Sequence, residues 1–215
     1  MSIRSQMRRR ALGYDAARAR RHLIKADPVM ADIARRAGPM ELVPRGTPYV
    51  SLVRAVLYQQ LAGAAAAAIE RRFLALYHGR VPAPSQLAQA TDEALRAAGI
   101  SRQKASYLRS IGEHFASGRL DDRTLLRADD DDVIAAVTQI KGVGRWTADM
   151  LLMFCLGRPD VLPVGDYGIA SSMRRAYGLD HIPQAKEMLT IAEPWRPYRS
   201  AGSWYLWRLA DILTM

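Results

Sequence analysis

One aspartate, Asp166, is distinguished by the residues on either side of it. Pro163 and Gly165 shape the approach to it, and the sequence predicts a helix that begins directly after it. An aspartate at that point is most often a helix N-cap. A fixed carboxylate can also stabilise the positive charge that develops on a sugar when an N-glycosidic bond breaks, and it can orient a water. The local sequence favours the cap, and one carboxylate can serve both purposes.

A second candidate is the turn Gly142-Val143-Gly144, which lies between two predicted helices. Two glycines allow a tight turn with little side-chain bulk, and the next helix then begins with exposed backbone N–H groups. Such a helix start attracts anions, and Lys141 and Arg145 flank it. The turn is therefore a candidate grip for a DNA phosphate, although many helix pairs also turn through glycine.

The third candidate feature is a group of aromatic side chains. Trp195, Trp204, Tyr205 and Trp207 lie close together near the C-terminus, and Trp146 stands beside the glycine turn. Core packing is the ordinary role of such residues. The alternative is a stacking pocket for a base that has been rotated out of a duplex. A positively charged alkylated purine suits electron-rich indole faces especially well.

The amino-acid composition limits which binding partners and which metal sites are possible. The 215 residues carry 31 Lys+Arg against 21 Asp+Glu, a net charge of +10, which indicates a polyanionic partner. The single cysteine, Cys155, lies in an apolar run and is expected in the core. One cysteine excludes an internal disulfide and a four-cysteine iron–sulfur or zinc site. No apolar run approaches a membrane span or a signal peptide, so we expect a soluble cytoplasmic protein, associated with the nucleoid if the source is bacterial.

The elements that must position these residues are predicted to be helices, because no period-2 strand pattern is present. Residues 1–22, rich in Arg and Ala, are expected to form a partly ordered basic arm. Thr47 and Pro48 predict a helix start, with a break near residues 59–63. Further helices are predicted at about 28–37, 64–77, 91–99, 101–118, 131–138, 145–156, 167–177 and 198–215.

Taken together, the motifs resemble the helix-hairpin-helix DNA glycosylases, and within them the DNA-3-methyladenine glycosylase II branch. The resemblance covers about residues 45–210. It rests on Ile140–Ala148 and Leu162–Tyr167, with support from Tyr58–Leu61, Gly99–Lys104 and the run Trp195–Trp207. It implies an all-α, two-lobed fold with a cleft between the lobes. Residues 45–210 would form the glycosylase domain, and residues 1–44 a basic arm and short helix that complete the second lobe.

The resemblance also implies roles for individual residues. Asp166 matches the essential aspartate of the family, and Leu61 matches the wedge that fills the gap left by a flipped nucleotide. The other implied residues fall into three sets. These are the base pocket (Trp146, Met150, Tyr205, Trp207), the DNA contacts (Gln60, Leu61, Lys141, Gly142, Val143, Gly144, Arg145, Thr147), and backbone carbonyls that would hold a monovalent cation (Thr138, Ile140, Val143).

Two features narrow the implied activity. Glycosylase/lyases of the superfamily carry a hairpin lysine where this chain has Trp146, and Schiff-base chemistry requires an amine. We therefore expect no lyase activity, and no cofactor beyond that cation. The family often has two consecutive acidic residues where this chain has Gly165-Asp166, a departure that could alter the substrate range.

The sequence thus predicts a monomeric base-excision-repair glycosylase. It would bind damaged double-stranded DNA and hydrolyse the N-glycosidic bond of alkylated purines such as 3-methyladenine and 7-methylguanine. One alternative is a glycosylase for deaminated or mismatched bases on the same scaffold. The other is a helix-hairpin-helix module that binds DNA without catalysis. A membrane-surface protein is disfavoured, because caps and glycines interrupt the apolar faces in the way typical of a packed globule.

Overall fold

The computed structural model describes residues 2–61 and 63–213, and every regular element in those ranges is helical. The only pairing of strand type found there is an isolated antiparallel bridge between Arg9 and Arg45. The α-helices, numbered in chain order, are α1 (Ile3–Gln6), α2 (Ala16–Ala26), α3 (Pro28–Ala37), α4 (Pro48–Tyr58), α5 (Gly63–Ala75), α6 (Pro84–Ala88), α7 (Asp92–Ala97), α8 (Arg102–Ala116), α9 (Asp122–Arg127), α10 (Asp130–Val137), α11 (Arg145–Leu151), α12 (Tyr167–Tyr177), α13 (Ala185–Ile191) and α14 (Arg199–Leu213).

The all-α prediction is confirmed, and several helix starts lie where the sequence put them. α3 and α4 begin at Pro28 and Pro48, and the side chains of Thr91 and Ser101 cap α7 and α8. Thr47 makes no side-chain cap on α4. Instead the carboxylate of Asp122 accepts a hydrogen bond from the Tyr49 amide at 2.8 Å. The predicted helix over 145–156 is divided into α11 and a π-helical turn at Leu152–Leu156. Residues 214–215, to which the last helix was expected to extend, lie outside the described residues.

The prediction of a partly ordered arm over residues 1–22 was wrong where the chain forms helices, in α1 and again from Ala16 onward. α2 begins at Ala16, where Asp15 accepts a hydrogen bond from the Arg18 amide, and the helix continues to Ala26. Ala19 and Leu23, four residues apart, are fully buried. Ile24 packs against the same core, and Arg20 donates to the Ala34 carbonyl at 2.9 Å, so α2 is fixed to α3.

The chain divides into two compact units, and each is described separately. Unit 1 holds residues 2–10 and 45–151. Its apolar core comes from α4 and the helices that follow, where Leu52, Leu57, Phe73, Leu108 and Val133 are almost completely buried. α8 is the longest helix of this unit and packs against α4, α6 and α7. Tyr107 and Ser110, both on α8, lie against the glycine turn between α10 and α11.

Unit 2 holds residues 11–44 and 152–213. Its core is built around two aromatic residues, Trp195 and Tyr205, both fully buried. The α2–α3 junction is tied to this core by Asp27, whose carboxylate accepts hydrogen bonds from Tyr177, from Trp195 and from two amides at the start of α3. Cys155 is buried in the same unit, as the sequence predicted. Across the described residues, no helix combines the length and apolarity that spanning a membrane requires.

Candidate active site

Asp166 is the N-cap of α12. Two turns in the preceding loop bring the chain to it, since the Val164 amide donates to the Leu162 carbonyl and the Asp166 amide donates to the Pro163 carbonyl, both at 2.9 Å. Asp166 is extended, with φ −88° and ψ 113°, and its Oδ1 accepts a hydrogen bond from the Ile169 amide at 2.9 Å. The capping role predicted from the sequence is confirmed. The helix start therefore holds the carboxylate in one orientation.

Trp207 on α14 provides a second restraint on the same carboxylate. Its indole Nε1 donates to Asp166 Oδ1 at 3.1 Å, although the two residues are 41 positions apart. The Trp207 ring packs beside Phe154, with centroids 5.5 Å apart and planes inclined by 32°. Gly168 leaves room for this contact, since a Cβ there would lie 3.0 Å from Asp166 Oδ1. An amide and an indole thus converge on one carboxylate oxygen, and an aromatic pair stands next to it.

This carboxylate is half-buried, and aromatic surface near it is accessible to solvent. Tyr167, the next residue, is 74% exposed, and Phe154 is 39% exposed. Exposed aromatic rings beside a positioned carboxylate can stack on a flat heterocycle while the carboxylate stabilises a neighbouring positive charge. Tyr167 was part of a sequence motif but was given no role there. Its exposure at the start of α12 could have been inferred from the amphipathic pattern of that helix.

Tyr205, which the sequence assigned to the base pocket together with Trp207, lies in the core of unit 2. Its side chain is fully buried, and its hydroxyl donates to the Gly38 carbonyl at 3.0 Å. Its ring packs nearly perpendicular to that of Trp204, with centroids 5.0 Å apart. Residues two apart on a helix point in different directions. Trp207 therefore reaches Asp166, while Tyr205 belongs to the core of unit 2.

The glycine turn of unit 1 is a tight hairpin between α10 and α11. Gly142 has φ +83°, and a Cβ at that position would lie 2.3 Å from the ring of Tyr107 on α8. The Lys141 amide donates to the Ser110 hydroxyl at 3.2 Å, so α8 holds the turn at two neighbouring points. Only glycine fits at 142, because any side chain would meet both an unfavourable φ and the tyrosine ring. Tyr107 is a supporting residue that sequence reasoning missed.

The predicted DNA contacts of the hairpin differ in exposure. Lys141, Gly144 and Arg145 are exposed, whereas Val143 and Thr147 are buried, so those two can present only backbone atoms. A Cβ at Gly144 would meet nothing within 4 Å, which leaves the start of α11 open to an approaching phosphate.

Arg145 is engaged on one side, since its Nε donates to the buried carboxylate of Asp149 at 2.9 Å. Burial raises the pKa of Asp149 above its usual value, and the hydrogen bond and charge of Arg145 oppose that rise.

Trp146 and Met150 lie one helical turn apart on α11. Trp146 is 44% exposed and Met150 is half-buried, so both present apolar surface on the same face of the helix. Both were assigned to a base pocket from the sequence, and that assignment stays a prediction.

Gln60 and Leu61 form a turn after α4. Gln60 has φ +56°, uncommon for a residue other than glycine, and Leu61 is 38% exposed. The preceding Gln59 donates from its side-chain amide to the Gly142 carbonyl at 3.1 Å. This bond ties the turn that carries the predicted wedge to the hairpin, and sequence reasoning missed it. No pattern in one sequence indicates a contact between residues 83 positions apart.

The carbonyls predicted to hold a cation belong to Thr138, Ile140 and Val143. The Ile140 carbonyl accepts a hydrogen bond from the Val143 amide at 3.0 Å, and the Thr138 hydroxyl donates to the Ile134 carbonyl at 2.7 Å. Backbone oxygens that converge in a tight turn are suitable ligands for a hard cation, and the cation site remains a prediction. Within the described ranges, no group of three or more His, Cys, Asp or Glu side chains is arranged to hold a metal ion.

Comparison with known proteins decides the family. Residues 53–197, which include the hairpin and Asp166, match the family described as HhH-GPD superfamily base excision DNA repair protein. This chain belongs to that superfamily. The resemblance inferred from the sequence motifs is thereby confirmed, and the all-helical fold is the one expected of a member.

Similar proteins support this family assignment. A DNA-3-methyladenine glycosylase 1 from Schizosaccharomyces pombe is 38% identical over 81% of this chain and 77% of its own length. The structure of a 3-methyladenine DNA glycosylase from the same yeast, in complex with abasic DNA, superposes with a TM-score of 0.81. It is 36% identical, and the match covers 90% of this chain and 97% of the other. A DNA-3-methyladenine glycosidase from Bacillus halodurans gives a TM-score of 0.82 at 37% identity, covering 97% and 94%.

Proposed function

We propose that this protein is a monofunctional DNA N-glycosylase that releases alkylated purines, of the 3-methyladenine and 7-methylguanine type, from double-stranded DNA. Membership of a base excision DNA repair superfamily and the names of the relatives support the reaction class. The observation that carries the proposal is the carboxylate of Asp166, held through one oxygen by the Ile169 amide and the Trp207 indole, with exposed aromatic surface beside it.

The chemistry asks for a fixed negative charge. Cleavage of the N-glycosidic bond transfers the bonding electrons to the base and leaves positive charge on the sugar C1′ and ring oxygen. A carboxylate that is already oriented stabilises this charge without reorganising during the reaction. Water then adds to C1′ and loses a proton, and in this mechanism Asp166 accepts that proton or orients the water. The products are the free base and an abasic site.

Alkylated purines suit a site with this composition. A purine methylated at N3 or N7 carries a positive charge in the nucleoside and leaves as a neutral base, so it needs little help from a general acid. Its charge also favours stacking on electron-rich rings, as in a cation–π contact. Trp207 in unit 2 and Trp146 in unit 1 are stacking candidates that the sequence already assigned to the base pocket, and the exposed rings of Phe154 and Tyr167 in unit 2 are further candidates.

Unit 1 supplies features suited to gripping a duplex. The open start of α11, with Lys141 and Arg145 exposed beside it, suits a backbone phosphate. Leu61 stands on a turn tied to the hairpin through Gln59, so a wedge entering the base stack would be fixed relative to the phosphate contact. The net charge of +10 supports a binding affinity that falls steeply as salt is raised.

The lesion range is tested with duplexes that each carry one defined base: 3-methyladenine, 7-methylguanine, hypoxanthine, or uracil opposite guanine. The proposal predicts release of the first two at rates well above those of the last two. Faster release of hypoxanthine or uracil would reassign the chain to the repair of deaminated bases. Tight binding with no release of any base would make it a DNA-binding module.

The same reactions test whether the enzyme is monofunctional. Position 146 carries tryptophan, which has no amine to form a Schiff base with the sugar. We therefore expect abasic sites that stay intact until alkali is added. Borohydride reduction during the reaction should trap no covalent complex between protein and DNA. A trapped complex would contradict the monofunctional assignment and would point to another amine as the nucleophile.

A further inference from the structure

We propose that unit 1 carries a second phosphate-binding site in addition to the hairpin. In this site a groove lined by four arginines binds the DNA backbone. The inference rests on the proposed function, because it takes DNA as the partner. The arginines are Arg8, Arg9, Arg10 and Arg80, and we refer to this feature as the arginine groove. It encloses about 520 Å³ and is lined by Met7, Arg8, Arg9, Arg10, Gly46, Thr47, Val50, Arg80 and Val81.

The groove is part of the folded unit, because its N-terminal wall is anchored at several points. Arg9 pairs with Arg45 in an antiparallel bridge, and the Gly46 amide donates to the Arg8 carbonyl at 2.9 Å. Met7 packs so closely over Gly46 that a Cβ there would lie 2.4 Å from the methionine methyl group. The backbone that carries three of the four arginines is therefore held in place before any ligand binds.

A further anchor lies at the start of the chain. The side chain of Ile3 is fully buried, and its amide donates to Glu70 Oε1 at 3.2 Å. Glu70 is itself almost completely buried and accepts a second hydrogen bond from the Tyr58 hydroxyl. A basic segment that served only for solubility would not need a buried apolar side chain and a buried carboxylate to hold it. These contacts anchor the segment that precedes Arg8, Arg9 and Arg10 to the rest of unit 1.

The charges of the arginine groove are not neutralised by the residues that line it. No carboxylate is found among the described lining residues, and none of the four arginines forms an ion pair with a described residue. Arginines of unit 1 that lie beside a carboxylate do form ion pairs, as Arg109 does with Asp92 at 2.6 Å. Four guanidinium groups in one concavity repel one another, and a polyanion relieves that repulsion.

The chemistry of the walls favours a phosphodiester backbone as the occupant. Guanidinium groups bind phosphate oxygens through paired N–H donors, and all four arginines are exposed and able to reach a ligand. Val50, Val81 and Met7 supply apolar surface between them, which suits the sugar carbons that separate successive phosphates. A free phosphate ion would use the donors and leave that apolar surface uncovered.

The test compares two variants of the full chain that each lose four positive charges. The groove variant carries Arg8→Gln, Arg9→Gln, Arg10→Gln and Arg80→Gln. The control variant replaces four exposed arginines of unit 1 that do not line the groove, namely Arg96, Arg119, Arg123 and Arg127, also by glutamine. Affinity for an undamaged 25-base-pair duplex (a length of about two and a half helical turns) is measured by fluorescence anisotropy over a range of salt concentrations.

The expected result is a shallower salt dependence for the groove variant only. Each lost phosphate contact makes the negative slope of log K against log salt shallower by about 0.9. If the affinities of the variant and the wild type are equal at 1 M salt, the loss of one or two contacts weakens binding at 0.1 M salt by about 8-fold or 60-fold. The control variant should change by less than about threefold, since salt screens charges remote from the DNA. An equal loss in both variants, or no loss in the groove variant, would overturn the proposal.

Two further measurements distinguish a DNA-binding groove from a free-anion site and from a folding defect. Calorimetry with inorganic phosphate alone tests for the free-anion site, and phosphate binding that the groove variant loses while its duplex affinity is unchanged would overturn the proposal. Thermal melting shows whether the groove variant is folded, and the pair Arg10→Gln with Arg80→Gln replaces it if it is not. Base release by the unaltered chain decides the proposed function separately, because duplex binding here is measured without release.

Discussion

Replacing Gly142 with alanine should destabilise unit 1, because two separate penalties meet at that position. The backbone has φ +83°, a conformation that costs a residue with a Cβ about 1–2 kcal/mol. The new methyl group would lie 2.3 Å from the Tyr107 ring, more than 1 Å inside ordinary van der Waals contact. Forced overpacking of this kind costs about 1–3 kcal/mol, so Gly142→Ala should lower the free energy of unfolding by about 2–5 kcal/mol.

The neighbouring glycine provides a matched control. Gly144 has no left-handed backbone, and a Cβ there would meet nothing within 4 Å. Because Gly144 directly precedes α11 and its carbonyl accepts from the Ala148 amide, Gly144→Ala should cost only the difference between these two residues as helix caps, about 1 kcal/mol or less. Urea denaturation followed by circular dichroism measures both variants under the same conditions. Equal effects of the two substitutions would refute the two-penalty explanation.

A double substitution separates the two penalties at Gly142. Tyr107→Ala removes the ring that the new methyl group would meet, and it leaves the backbone conformation as it was. In a Tyr107→Ala background, Gly142→Ala should cost only the backbone term of about 1–2 kcal/mol. If the cost were the same in both backgrounds, the tyrosine would have no part in shaping the hairpin.

Three other predictions concern buried or half-buried groups. Asp27→Asn places an amide N–H₂ against the donors of Tyr177 and Trp195. The free energy of unfolding, measured in urea, should therefore fall by about 2–4 kcal/mol. A loss under about 1 kcal/mol would contradict the role of Asp27 as an acceptor that stabilises the core of unit 2. Trp207→Phe keeps an aromatic ring but removes the indole N–H that holds Asp166. Single-turnover base release should therefore slow by about 10- to 100-fold while duplex affinity is retained. Equal weakening of base release and duplex affinity would indicate a general packing defect. Burial raises the pKa of Asp149, so the folded chain binds a proton there more readily than the unfolded chain does. The stability of the wild type relative to Asp149→Asn should therefore be greatest below the usual aspartate pKa and decline as pH rises through the raised one. Urea unfolding across that range checks the sign, and a gain with rising pH would contradict it.

The parts of the fold that could be predicted are those coded by neighbouring residues. Pro28, Pro48, Thr91 and Ser101 mark helix starts because proline fixes φ and hydroxyls cap free amides, and these starts lie where expected. α2 was missed because only two of its side chains are fully buried, and its arginines hide the helical period.

Contacts between distant residues lay beyond the reach of a single sequence. Asp122 caps α4 from 73 positions away, and no local pattern indicates that it would replace Thr47 in that role. The hydrogen bond from Trp207 to Asp166 spans 41 positions. The family resemblance named both residues without indicating that they touch.

The site was predictable to the extent that its chemistry is local. A carboxylate before a helix and a glycine turn after another helix were identified from their neighbours alone. The assignment of Tyr205 failed to anticipate its burial, because α14 is aromatic on more than one side and the sequence does not show which face enters the core. Residues that tie the hairpin in place, such as Gln59 and Tyr107, become visible only once the helices are packed.

The most direct test of the proposed catalytic role is single-turnover release of 7-methylguanine by Asp166→Asn, an isosteric change that keeps an oxygen to accept from Ile169 and Trp207. Asp32→Asn, an exposed aspartate of the same unit, serves as the control. We predict that Asp166→Asn releases base at least about 100-fold more slowly while binding the duplex as the wild type does, because only the charge that stabilises the sugar cation is lost. Release at the wild-type rate would show that this carboxylate is a helix cap and nothing more.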